Sequence, residues 1–186
     1  YINDIFALVY TFKFPSYFPY YYINNTIIDG DSSNCPLAIV GNIDLTCRIT
    51  GFTIQNGIGC VYGQGAGIYI EGSSPRLDHL IVRHNHGGTN GGGICLNGGS
   101  YSVMNEITIE NNSSEYGGGI YSYYSEPTIT NCTIKNNQAS LGAGIYFATS
   151  NPNLEFVSIL DNHANKKIIR KNGKRKSHYR LCYEIR

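Results

Sequence analysis

The side chains of this sequence that can do chemistry are few, and the densest group of them lies in one short stretch. Asp78, His79, Arg83, His84 and His86 fall within the eleven residues from Arg76 to His86. Imidazole, carboxylate and guanidinium groups together can hold a metal ion or grip a sugar acid. Hydrolytic or lyase chemistry by carboxylates needs two of them facing one substrate. Glu106, Glu110, Glu155 and Asp161 are instead strung out along the chain. No catalytic residue, metal-ligand set or cofactor is therefore assigned. A second group is aromatic: Tyr69, Tyr121, Tyr123 and Tyr146. Ring faces of this kind stack on sugars, and they also simply stabilise sheets.

What positions these residues is a repeat. Four segments align, opening at Gly65 (GAGIYI), Gly91 (GGGICL), Gly117 (GGGIYS) and Gly142 (GAGIYF). Gly67, Gly93, Gly119 and Gly144 are spaced 26, 26 and 25 residues apart. CRITGFTIQNG, ending at Gly57, is a less regular earlier copy, and TIIDG closes a coil before it. Each copy holds three strand-like stretches separated by Ser, Pro, Asn or Gly, which predicts a triangular solenoid of parallel strands. Parallel crossovers are right-handed almost always, so the expected fold is an all-β right-handed parallel β-helix of five to six coils.

Stacked coils demand chemically coherent columns, and the sequence supplies them. Inward columns read Ile68, Ile94, Ile120, Ile145; Leu77, Met104, Ile129, Leu154; Leu80, Ile107, Cys132, Val157; and Val82, Ile109, Ile134, Ile159. Polar columns read Asn56, His84, Asn111, Asn136, Asp161 and Gly57, Asn85, Asn112, Asn137, Asn162. Asn tolerates left-handed bends, and stacked amides bond to one another. Tyr69, Tyr121 and Tyr146 form an outward column interrupted by Cys95, while Gln55, Arg83, Glu110 and Lys135 alternate in charge and His79 stacks on Glu106. Such ladders give the ionisable cluster a purely structural role as the alternative to a site. The six cysteines show no zinc spacing and are too sparse for a disulfide scaffold, so they read as isolated thiols packed in the core.

The GGGIY, PTITNCTI and IKNN elements resemble the repeats of pectin-lyase-like bacterial proteins that are secreted or displayed on the cell surface. The resemblance is clear over residues 65–164 and weaker over 26–64. It implies a β-helix that carries either a polysaccharide lyase or hydrolase or a module without chemistry. The calcium carboxylates and the proton-abstracting Arg or Lys of the lyases, and the clustered aspartates of the hydrolases, have no counterpart here. The function expected is a non-catalytic extracellular or cell-surface scaffold, adhesion or carbohydrate-contacting module of a longer chain; the alternative is an enzyme with missing or degenerate catalytic coils.

The ends break the pattern. Residues 1–25 begin with ten Tyr or Phe in the first 22 and are expected to cap the solenoid or be a degenerate coil, before repeats at 26–164. Residues 165–186 hold nine Lys or Arg against Glu184 alone and are expected to be a disordered tail. The preceding 164 residues hold five Lys or Arg against twelve Asp or Glu. That acidic body argues against nucleic acid as a partner, so any nucleic-acid case rests on the basic tail; the partner expected from the outward tyrosines is a polysaccharide or surface glycan. No run of apolar residues is long enough for a membrane helix, and the first ten residues lack the basic start of a signal peptide.

Overall fold

A computed structural model of the chain describes residues 26–60, 63–165 and 180–183, the last as backbone alone. The cap expected over 1–25, and all but these few residues of the tail, lie outside that set. The described residues form a solenoid of short parallel strands without an α-helix. One sheet stacks β2 (Leu37–Val40), β5 (Ile68–Glu71), β7 (Ile94–Asn97), β10 (Ile120–Tyr123) and β14 (Ile145–Ala148), each parallel to the next. Arg180–Tyr183 forms β18, which pairs antiparallel with β14 and so covers that open edge.

A second sheet begins with β1 (Ile27–Asp29), β3 (Arg48–Thr50), β4 (Thr53–Gln55), β6 (Arg76–Arg83) and β8 (Val103–Glu110). It continues through β11 (Thr128–Thr130), β12 (Thr133–Lys135), β15 (Asn153–Glu155) and β16 (Ser158–Leu160). The third sheet holds β9 (Ser113–Tyr116), β13 (Gln138–Leu141) and β17 (His163–Ala164).

The isoleucine spacing sets the register. Ile68, Ile94, Ile120 and Ile145 pair in succession, as do Leu77, Met104, Ile129 and Leu154, and Val82, Ile109, Ile134 and Ile159. Alternate residues of each strand point inward, so these columns fill one core to which Cys132 also belongs. Fully burying such a side chain contributes about 1.5–3 kcal/mol before chain entropy is subtracted.

Left-handed backbone at equivalent positions turns each coil. Asn56, His84, Asn111, Asn136 and Asp161 all have φ between 49° and 56°. A second such column is Gly51, His79, Glu106, Asn131 and Phe156; a third is Gly72, Gly98, Tyr124 and Thr149. The fourth, Gly65, Gly91, Gly117 and Gly142, is all glycine for a second reason besides conformation. A Cβ on Gly91 would lie 2.7 Å from the Ile94 carbonyl oxygen and 2.8 Å from the Cys95 Cβ.

One residue after the first bend, Asn85, Asn112, Asn137 and Asn162 stack inside the wall. Asn112 Nδ2 donates to Asn137 Oδ1 at 3.0 Å and to the Val82 carbonyl at 2.9 Å, while its own Oδ1 accepts from Asn85 N and Nδ2, both at 3.0 Å. Asn137 repeats this with Asn162. Gly57 ends the ladder, its N–H donating to Asn85 Oδ1 at 2.9 Å. Buried serines make a shorter ladder at another corner, with the N–H of Ser100 and of Ser125 donating to the hydroxyl one coil further on, each at 3.1 Å. Among the described residues no buried side-chain nitrogen or oxygen lacks a partner, which is what a polar column inside a wall requires.

The cysteines divide. Cys132 is free and packed in the core as expected, Cys95 is free and buried on the other face of its sheet, and Cys47 is free and half-buried. Cys35 and Cys60 are instead joined in a disulfide, against the expectation of isolated thiols. They lie 25 residues apart, one coil length, so stacking alone brings their Cα atoms to 4.6 Å.

Candidate functional site

Tyr69, Cys95, Tyr121 and Tyr146 stand in register on the face of β5, β7, β10 and β14 opposite the core. Their surroundings differ. Tyr69 and Tyr146 are buried, Tyr121 is half-buried, and Tyr123, two residues along β10, is 39% exposed. The glycine bends close beneath the column: a Cβ on Gly65 or Gly142 would lie 2.8 or 2.9 Å from the Cβ of Tyr69 or Tyr146. Tyr69 donates its hydroxyl proton to Glu71 at 2.9 Å, and burial pushes its pKa up.

At the C-terminal end of this face the rings line a groove of about 270 Å³. Tyr121 and Tyr146 stack nearly parallel, 5.6 Å between centroids, and Tyr116 meets Tyr146 at 5.5 Å with a 58° tilt. Tyr123 packs edge-on against Tyr124 at 4.4 Å, and local desolvation with this neighbour raises its pKa. Asn90, Leu141 and Ala148 complete the lining. Asn90 bridges to Tyr116, and Tyr116 pairs with Leu141. The sequence expectations included Tyr121, Tyr123 and Tyr146 but not Asn90, Tyr116 or Leu141. A signal for those three exists, since each immediately precedes the opening glycine of its repeat.

The ionisable stretch is not gathered into one constellation. All but His84 meet a residue of an adjacent coil. Asp78 accepts from Arg48 Nε at 2.7 Å, and Arg76 Nε lies 3.3 Å from the same carboxylate oxygen. His79 Nε2 lies 2.8 Å from Glu106 Oε2, and Arg83 Nε donates to Gln55 at 3.0 Å. His86 Nδ1 lies 2.6 Å from the Ser113 hydroxyl, and His84 occupies an exposed bend. Among the described residues no three His, Cys, Asp or Glu stand close enough to hold a metal ion, and no helix there is long and apolar enough to cross a membrane.

Parallel coils, stacked isoleucines and glycine-led bends coincide with a family model described as a right-handed β-helix region, which matches residues 20–174. The chain belongs to that right-handed β-helix family. Its solenoid has about five turns roughly 26 residues apart, and the pectin-lyase-like resemblance is consistent with it. No curated protein and no solved structure matches the chain. The family is defined by a fold that hosts many activities, so function must be argued from this chain's own surface.

Proposed function

We propose that this right-handed β-helix is a non-catalytic scaffold of an extracellular or cell-surface protein, and that it contacts carbohydrate through the tyrosine groove. The observation that carries the reading is the groove itself. Tyr116, Tyr121, Tyr123 and Tyr146 converge there, with Tyr123 offering exposed ring surface beside the Asn90 amide. Aromatic faces match the apolar faces of sugar rings, and an amide supplies both donor and acceptor to hydroxyl groups. The Cys35–Cys60 disulfide supports an oxidising compartment, where such bonds form and persist.

Calorimetric titration of the full chain with neutral and acidic oligosaccharides tests the proposal. Binding is expected to weaken about fivefold to tenfold in Tyr123→Ala and to survive Tyr123→Phe, since one lost stacking contact is worth about 1 kcal/mol. Equal affinity in Tyr123→Ala, or no binding of any oligosaccharide, would overturn it. Robust depolymerisation of a glycan by the same preparation would replace the scaffold with the polysaccharide-active alternative.

A further inference from the structure

We propose that Arg48 and Arg76 form an oxyanion-binding site, taking a carboxylate or sulfate group of an acidic glycan, on the sheet that contains β3 and β6. The site lies apart from the tyrosine groove and does not depend on that reading. Arg48 and Arg76 are register partners on adjacent coils, so two like charges stand directly opposite each other. That arrangement destabilises a sheet unless something offsets it. Asp78 does so in part: its side chain is 2% exposed, and its Oδ2 accepts from Arg48 Nε and lies 3.3 Å from Arg76 Nε. One carboxylate against two guanidiniums leaves one positive charge uncompensated.

The neighbouring column shows what full compensation looks like. Gln55, Arg83, Glu110 and Lys135 alternate, with Arg83 donating to Gln55 and Lys135 Nζ 3.1 Å from Glu110. The Arg48 and Arg76 column runs on through Val103, Thr128 and Asn153 with no acidic member. Other described carboxylates close by in sequence or column form no ion pair with either arginine: Asp44 accepts from the Thr46 N–H at 2.9 Å, and Glu106 Oε2 lies 2.8 Å from His79 Nε2. Each guanidinium meets Asp78 through Nε, by a hydrogen bond from Arg48 and an ion pair with Arg76, and its side chain is about half exposed. Among the described residues the terminal nitrogens of both have no hydrogen-bond partner. Two pre-positioned forks with free terminal donors, one strand spacing apart, suit a planar or tetrahedral oxyanion better than a single lysine does.

The test is calorimetric titration of the full chain at low and physiological salt. Its probes are a sulfated trisaccharide, a uronate trisaccharide, a neutral trisaccharide and sodium sulfate. Short ligands are chosen so that the basic residues after 165 contribute equally to every variant. At least one acidic trisaccharide is expected to bind more tightly than the neutral one. Arg48→Gln and Arg76→Gln should each weaken that binding about tenfold, as expected for lost charged hydrogen bonds, while Lys135→Gln leaves it unchanged. Sodium sulfate binding as tightly as the sulfated sugar, with the same two arginines required, would keep the site and assign it to a free anion. An equal loss in Lys135→Gln, or no anion bound by the parent chain, would overturn the proposal.

Discussion

Replacing Asn112 by Ala tests whether the buried amide ladder holds adjacent coils together. The side chain is 1% exposed and bonds in both directions along the stack. Its Oδ1 is the acceptor for two buried donors, Asn85 N and Asn85 Nδ2, and its Nδ2 serves the Val82 carbonyl and Asn137 Oδ1. A buried donor left without an acceptor costs about 1–3 kcal/mol. Two such donors, with a small void beside them, put the loss at about 2–5 kcal/mol. The adjacent Asn111 provides the control. It is exposed and bends the chain at φ 55°, so Asn111→Ala should cost about 1 kcal/mol of conformational strain and Asn111→Gly almost nothing. Urea unfolding followed by circular dichroism at pH 7 measures all three, provided the denaturant slope stays constant. A loss in Asn112→Ala no greater than that in Asn111→Ala would refute the reasoning, because the ladder would then be a by-product of stacking.

Two further outcomes follow from the same geometry. Burial pushes Cys95 up to about 12 from an ordinary 9, so the folded chain holds this proton more tightly than the unfolded chain. Its contribution is therefore complete below pH 9 and falls by about 1.4 kcal/mol per pH unit as pH rises from 9 toward 12. Cys95→Ala should flatten the alkaline slope of unfolding free energy relative to the parent, and an identical slope would contradict this. Phe156 is 85% exposed and has φ 54°, in the column where Asn131 occupies the coil before. Phe156→Asn should raise stability by about 1 kcal/mol, because asparagine accepts the left-handed bend that a bulky aromatic resists; a lower urea midpoint would count against it.

The inside of the wall was legible because stacking makes each interior position answer to the same constraint in every coil. Ile68, Ile94, Ile120 and Ile145 must each fill one layer of one core, and Asn112 and Asn137 must each satisfy the same two neighbours. Outside the wall no such constraint recurs, and sequence reading weakened accordingly. The burial of Tyr69 was hidden because alternation along a strand gives the direction of a side chain, not what lies over it. The disulfide was hidden for a different reason. Its separation of 25 residues is one coil length, but the first coils are irregular: Leu37 pairs with Ile68, 31 residues on, whereas Ile120 pairs with Ile145, 25 residues on. Without an even period there, no column could be drawn through Cys35 and Cys60.

This contrast suggests where sites in a solenoid should be sought. A residue that repeats down a column is explained by its neighbours, since identical or complementary partners above and below account for it. A residue that breaks its column has no such account. Tyr116 stands between Asn90 and Leu141, and the tyrosine groove lies there. Arg48 and Arg76 repeat a charge where the next coils carry none, and Asp78 is buried beneath them instead of pairing along a ladder. Both departures cost the sheet something that stacking does not return: a mixed column packs less regularly, and like charges in register repel. In a fold whose stability comes from uniform columns, such local costs are the points at which a ligand has binding energy to contribute.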